Sequence, residues 1–230
     1  MRWILTTLVA LVAGFAGAAL WDYSGLGGNS TRAYLMANPE VLPDAFEVLQ
    51  QREQQARIEP VRSELETPFP GAVMGNPQGT VTLVEFSDYA CTYCRQSIPD
   101  VAALIAANPD LKVVVRELPI LRPESVDAAR MALAAAEQGK YAAFHDAMFR
   151  LGPPSAEAID AAAKEAGLDL DRAHAAIATG AFDAHLQSNL SLAGQLGING
   201  TPGWVVGNQT FNGAQGQQRI GDAIAEARES

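Results

Sequence analysis

Two short runs of β-branched and aliphatic residues constrain this chain most: residues 80–86, TVTLVEF, and residues 111–118, LKVVVREL. Each predicts a buried strand, the first bounded by Gly79 and Asp88. Residues 91–107 lie between them and carry Ile98, Val101, Ala102, Leu104 and Ile105 at helical spacing, with Pro109 to end the helix. Strand, helix and strand at this spacing make a βαβ unit, which requires a parallel sheet.

The remainder fits around that unit. Residues 123–196 are rich in alanine, and Pro153-Pro154, Gly167 and Gly180 divide them into four or five helices, with Ser155 and Asp169 as N-caps. Then GWVVG (203–207) and QTFNG (209–213) predict two short strands turning at Gly207-Asn208, and an amphipathic helix follows over about 216–228. The order is β-α-β, helical block, β-β-α. With 230 residues, 48% of them apolar, the chain can build one sizeable α/β domain and an appendage.

The appendage is N-terminal. Arg2 gives one positive charge, and the 18 residues from Trp3 to Leu20 carry none. Residues 1–20 are expected to be a signal peptide, with Ala16-Gly17-Ala18 as its cleavage site, or a retained membrane anchor. Both place the rest in a periplasmic or other extracytoplasmic compartment, where disulfides persist. Residues 21–66 are expected to hold a linker (24–30, SGLGGNS) and then a helix, capped by Asn38 with Pro39 at its first position, or starting at Pro43. Leu42, Phe46 and Leu49 share one face, which Ala56 and Leu65 extend. Such a helix either packs back on its own domain or associates with copies of itself as a homo-oligomer. The net charge of −10 argues against nucleic acid or an anionic membrane surface as a partner.

Both cysteines of the chain, Cys91 and Cys94, stand at the start of the expected first helix. A bridge over two residues barely constrains the unfolded chain, so a structural staple is disfavoured. Zinc wants four ligands, and His145, His174 and His185 all fall in the helical block without metal-ligand spacing. Two thiolates suffice for a soft Cu(I) ion, which stays open. A redox pair fits the position. Where strand gives way to helix, the Cys91 sulfur meets unpaired backbone N–H groups and the positive end of the helix dipole, which favour the thiolate. Cys94, one turn inside, is expected to be more buried, with a higher pKa. Cys91 at the exposed helix start then attacks and leaves, while Cys94 resolves the mixed disulfide.

Three stretches, GNPQGTVTLVEFSDYACTYC, YAAFHDAMF and GINGTPGWVVG, resemble DsbA-like thiol–disulfide oxidoreductases of the thioredoxin superfamily, a likeness covering residues 67–230. The leader and NPEVLPDAFEVLQ resemble the N-terminal helix of the ScsC and Com1 branch, some members of which assemble through it. The resemblance implies a thioredoxin fold with an all-helical insertion at about 123–196, preceded by a signal or anchor segment and an N-terminal helix. Cys91 and Cys94 match the redox pair, and Thr92 and Tyr93 the tuning dipeptide between them. The sequence departs here from CPHC. It has no histidine to stabilise the Cys91 thiolate, so a very strongly oxidising potential is not expected. Pro202 matches the cis-proline that faces the cysteines, and Thr201 the residue whose backbone binds an extended substrate. Glu85 falls where the family places a buried acid. It is expected to have a raised pKa and to exchange protons with Cys94, or else to form an ion pair with a lysine or arginine. Tyr141, Phe144 and His145 also match a family pattern and are read as core packing, as is Trp204.

The activity so implied is that of a protein-disulfide oxidoreductase or isomerase with no cofactor beyond its own Cys91–Cys94 disulfide and no metal. Its expected partners are cysteine-containing envelope proteins and a membrane redox protein. Direction is open: a monomer kept oxidised would donate disulfides, whereas an oligomer kept reduced would reduce or shuffle them, and Thr201 before the proline is also seen in isomerase-like relatives. Two other classes remain, a copper-handling module using the same thiolates and a membrane-tethered scaffold whose cysteines are dispensable.

Overall fold

The computed structural model describes residues 2–23 and 28–229. The chain divides into two compact units, Met1–Gln50 and Gln51–Ser230. The first holds α1 (Arg2–Tyr23), α2 (Gly28–Ala37) and the start of α3 (Val41–Ile58). Part of the expected linker is therefore helical, since residues 28–30 open α2; residues 24–27 lie outside the described residues. Asn38 does not cap the helix that follows it. Its backbone N–H and side-chain amide both donate to the Tyr34 carbonyl, at 2.8 and 2.9 Å, and so close the end of α2. Because α3 starts at Val41, Pro43 stands in its first turn, where a missing N–H forfeits no intrahelical bond. Leu42, Phe46 and Leu49 are 54%, 60% and 51% exposed. Among the described residues, no helix is long and apolar enough to cross a membrane.

In the second unit, a single 3-10 turn (Glu59–Val61) and α4 (Arg62–Glu66) lead to a five-stranded sheet. Its strands are β1 (Val73–Gly75), β2 (Val81–Ser87), β3 (Leu111–Glu117), β4 (Gly203–Val206) and β5 (Gln209–Asn212), in the order β1-β3-β2-β4-β5. β2 and β3 are parallel and joined by α5 (Thr92–Ala107), as the βαβ reading requires; the other pairs are antiparallel. The inserted block comprises α6 (Pro123–Glu137), α7 (Tyr141–Leu151), α8 (Ala156–Glu165), α9 (Leu170–Ala178) and α10 (Asp183–Leu196), and α11 (Gly216–Ala227) ends the fold. This is a thioredoxin-like fold with a helical insertion. Ser155 Oγ accepts from the Ala158 N–H at 3.2 Å and Asp169 Oδ1 from the Arg172 N–H at 3.0 Å, so both expected caps form. Gly207 takes φ +55° in the two-residue turn between β4 and β5, a conformation that favours glycine. β1 has no counterpart in the sequence reading. Three residues are too few to show a period, and β1 is held by its pairing with β3.

The sheet buries both faces. Leu83, Val113 and Val115 face a core shared with the helical insertion, while Val84, Phe86 and Val114 face Ile58, Leu65, Leu192 and Leu196. Leu65 thus belongs to the core rather than to the Leu42 stripe. Burying side chains such as Ile58 and Leu65, both 0% exposed, is worth roughly 1.5–3 kcal/mol each. On the same face the buried Arg116 guanidinium donates to the carbonyls of Glu64, Leu65 and Thr67 and, at 3.1 Å, to Asn189 Oδ1. These bonds give the carbonyls at the end of α4 a charged donor and tie that end to the sheet.

Candidate active site

Strand pairing brings two distant stretches to one end of the sheet. β2 runs antiparallel to β4, with Glu85 opposite Trp204 and Phe86 opposite Gly203. The residues that follow β2 therefore meet the residues that precede β4, and Cys91 comes to face the Thr201–Pro202 peptide, which is cis. Glycine at 203 lets Ile198 pack against the start of β4, since a Cβ there would stand 2.4 Å from Ile198 Cγ2. Trp204 is fully buried, with its indole N–H donating to the Gly213 carbonyl at 3.0 Å, which is a packing role.

Cys91 is the N-cap of α5 (φ −80°, ψ 118°), and its Sγ accepts from the Cys94 backbone N–H at 3.4 Å. The sequence reading placed Cys91 at an exposed helix start. In the structure it is only 5% exposed; its thiol donates to the Thr201 carbonyl at 3.1 Å. Cys94 is 0% exposed, while Thr92 and Tyr93 between them face solvent. Both thiols are free. The Cys94 thiol, hydrogen-bonded to the Cys91 sulfur, holds Cys91 down to about 5 against the opposing effect of burial, with the Thr201 hydroxyl and the N–H groups of Cys94 and Tyr93 assisting. The same bond pushes Cys94 far up, reinforced by burial and by the charge of Glu85. Ionised Cys91 has no proton to donate, so the Thr201 carbonyl is then free for another N–H. Among the described residues, no cluster of three His, Cys, Asp or Glu could hold a metal.

Glu85 lies on the Leu83 face of β2, fully buried. The ion-pair reading is not met: neither carboxylate oxygen has a hydrogen-bonding partner among the described residues, and burial pushes the acid up to about 8. The charge of Cys91 adds to that rise. A second buried acid was not singled out from the sequence. Glu117, at the end of β3, accepts from Tyr89 Oη at 3.0 Å and Tyr141 Oη at 2.7 Å, and burial pushes it too to about 8. Tyr89 Oη also lies 3.1 Å from His145 Nδ1. One hydroxyl proton cannot serve both neighbours, so Tyr89 donates to Glu117 and accepts from Nδ1–H. Burial lowers His145 to about 4 and keeps it neutral. Tyr141 and His145 are thus members of a polar network as well as core residues, whereas Phe144 packs edge-on against Tyr89. The signal for Glu117 was the period-two register, which sets it on the same face as Val113 and Val115. Asp88 was also passed over. It is 1% exposed, and its carboxylate accepts from the N–H groups of Ala90 (2.8 Å), Ile120 and Leu121 (2.9 Å each), fixing the loop before Cys91 to the loop after β3.

Residues 82–225 match the family described as DSBA-like thioredoxin domain. The chain belongs to the DsbA-like thioredoxin family. Residues 32–56 match a second family, the copper resistance protein ScsC N-terminal domain, and place the protein nearest the ScsC branch of the DsbA-like oxidoreductases. Among solved structures, a thioredoxin-like oxidoreductase from Silicibacter pomeroyi is 42% identical with a TM-score of 0.66, covering 69% of this chain and 92% of its own. The thiol-disulfide exchange protein alpha-DsbA2 from Wolbachia pipientis is 27% identical with a TM-score of 0.70, covering 77% and 97%. The Na(+)/H(+) antiporter NhaA 3 of Salinispora tropica is 30% identical over 165 residues, 67% of this chain, and the chain spans about a quarter (24%) of that curated relative's length.

Proposed function

We propose that the protein is an exported oxidoreductase whose Cys91–Cys94 pair exchanges with cysteines of envelope proteins, chiefly by donating its disulfide. The contrast between the two sulfurs carries this reading. Cys91 is stabilised as a thiolate at a helix start, and Cys94 is wholly buried and strongly favours its proton. A substrate thiolate attacks Cys91 Sγ, the S–S electron pair passes to Cys94, and Cys94 takes a proton. Glu85, protonated at neutral pH, supplies it. A second substrate thiolate then attacks the substrate sulfur of the mixed disulfide, and Cys91 leaves as the thiolate. The substrate is oxidised and the pair reduced by two electrons, to be reoxidised by a membrane redox partner. Thr201 offers its carbonyl to an extended substrate strand beside Cys91, Pro202 frames that strand, and Thr92 and Tyr93 form the exposed rim. The leader at residues 1–20 supports export.

The exposed Leu42, Phe46 and Leu49 favour a second reading. They lie in the segment that matches the ScsC N-terminal domain, and association through them would set several Cys91 sites around one substrate, which suits disulfide shuffling.

Trapping tests the roles of the sulfurs. Cys94→Ala should accumulate mixed disulfides with cysteine-containing proteins and Cys91→Ala almost none; more trapping by Cys91→Ala would reverse the assignment.

A further inference from the structure

Two acids share the cysteine-bearing face of the sheet, and the proposed chemistry uses only one. In the parallel ladder Glu85 stands opposite Val115 and Ser87 opposite Glu117. One strand spacing and two residues of rise separate the acids, which puts their Cα atoms about 8 Å apart. Both are essentially excluded from solvent, at 0% and 1% exposure. Their surroundings differ. Glu117 holds two tyrosine hydroxyls on a single oxygen, whereas both oxygens of Glu85 are without hydrogen-bonding partners among the described residues.

We propose that Glu85 and Glu117 act as one carboxyl pair that keeps at least one proton throughout the thiol cycle, Glu85 serving Cys94 directly and Glu117 acting through Glu85. Glu117 is a positioning residue in this scheme. This inference rests on the proposed exchange at Cys91–Cys94 with Glu85 as its proton partner.

Two carboxylates at this separation in a buried site disfavour each other's ionisation by about one pH unit or more, enough for the pair to titrate as a unit. When Glu85 gives its proton to the departing Cys94 sulfur, a neutral Glu117 leaves the new carboxylate without a like charge beside it. An ionised Glu117 would push Glu85 to hold its proton more tightly and slow the transfer. Tyr89 and Tyr141 stabilise the charge on Glu117, and burial opposes it more strongly. The other titratable groups facing Glu117 do not supply a cation. Asp88 beyond β2 and Glu85 on β2 are acidic, Tyr89 and Tyr141 are held well above their ordinary value, and His145 on α7 is neutral. Arg116, adjacent in β3, donates on the opposite side of the sheet to the end of α4 and Asn189.

The test uses Glu117→Gln, which keeps an acceptor for both tyrosine hydroxyls but cannot ionise. In the oxidised full-length protein, carboxyl-carbon NMR of labelled glutamate should show Glu85 titrating in two steps. With Glu117→Gln it should show one step, its midpoint about one pH unit lower than the second step of the parent. Tyr141→Phe, which removes a donor from Glu117 but leaves the acid in place, should spread the two steps further apart. The pH profile of disulfide donation to a dithiol peptide should change in parallel, its alkaline limb narrowing to that of a single group. A single-step Glu85 curve that is identical in parent and Glu117→Gln overturns the pair. Coupled titration with an unmoved donation profile overturns its service to the thiols while leaving the exchange at Cys91 standing. Unchanged donation in Glu85→Gln removes the proton-partner reading on which the inference rests.

Discussion

Reducing the Cys91–Cys94 disulfide should alter the pH dependence of folding stability by an amount the structure sets. Folded Cys91 is held at about 5 against an ordinary value of 9.0. A depressed pKa contributes stability that is present above the unfolded value and is lost as pH falls through the folded one. The reduced protein therefore gains stability from Cys91 as pH rises between those limits, at up to about 1.4 kcal/mol per pH unit. From pH 5 to pH 7 the gain is about 2 kcal/mol. Oxidised protein has no Cys91 proton to lose. Glu85 and Glu117 act in the opposite sense, since acids raised from 4.5 to about 8 withdraw stability as pH climbs through that window, and they do so in both forms. Subtracting the oxidised curve from the reduced one cancels most of their effect. The part of the Glu85 shift that comes from Cys91 remains, and makes about 2 kcal/mol an upper figure. Guanidinium unfolding of both forms at pH 5, 6 and 7 without oxygen measures the difference. A reduced-minus-oxidised difference that stays flat or falls with pH would refute the reasoning.

Asp88→Ala removes the acceptor of three partly buried N–H groups and should cost about 1–3 kcal/mol of stability in chemical denaturation; a loss under about 0.5 kcal/mol would mean that the Ala90, Ile120 and Leu121 bonds are not holding the loop. Phe46→Lys with Leu49→Lys should lower any oligomer seen by light scattering on residues 21–230 while leaving peptide dithiol oxidation intact, whereas a parent that is already monomeric at tens of micromolar sinks the shuffling reading.

The strand–helix–strand unit, the insertion and the hairpin were legible because each rests on local pattern: aliphatic runs, alanine-rich helices punctuated by Gly and Pro, and a Gly-Asn turn. The place of Cys91 and Cys94 at the start of α5 was legible from the strand-to-helix pattern, the cis bond before Pro202 by resemblance, and the burial of Glu85 by its place in an apolar strand. What escaped depends on pairing. β1 exists only through β3. Asn38 looks like an N-cap until the structure places Tyr34 one turn behind it in α2. Glu117 sits beside Arg116, and two charges at a strand end pass for a solvated edge unless the register with Ser87 and the tyrosines from two other segments are known. The burial of Cys91 is likewise a tertiary fact, set by a carbonyl 110 residues away in the chain.

A redox titration of the Cys91–Cys94 pair against glutathione at pH 7 tests the central claim most directly. A Cys91 pKa of about 5 falls between the roughly 7 of thioredoxin and 3.5 of DsbA, whose potentials are about −270 and −120 mV. Interpolation predicts one reversible two-electron transition near about −180 mV, oxidising enough to donate disulfides yet short of the strongest donors. A potential at or below about −270 mV, or a pair that does not equilibrate with glutathione, would contradict the account.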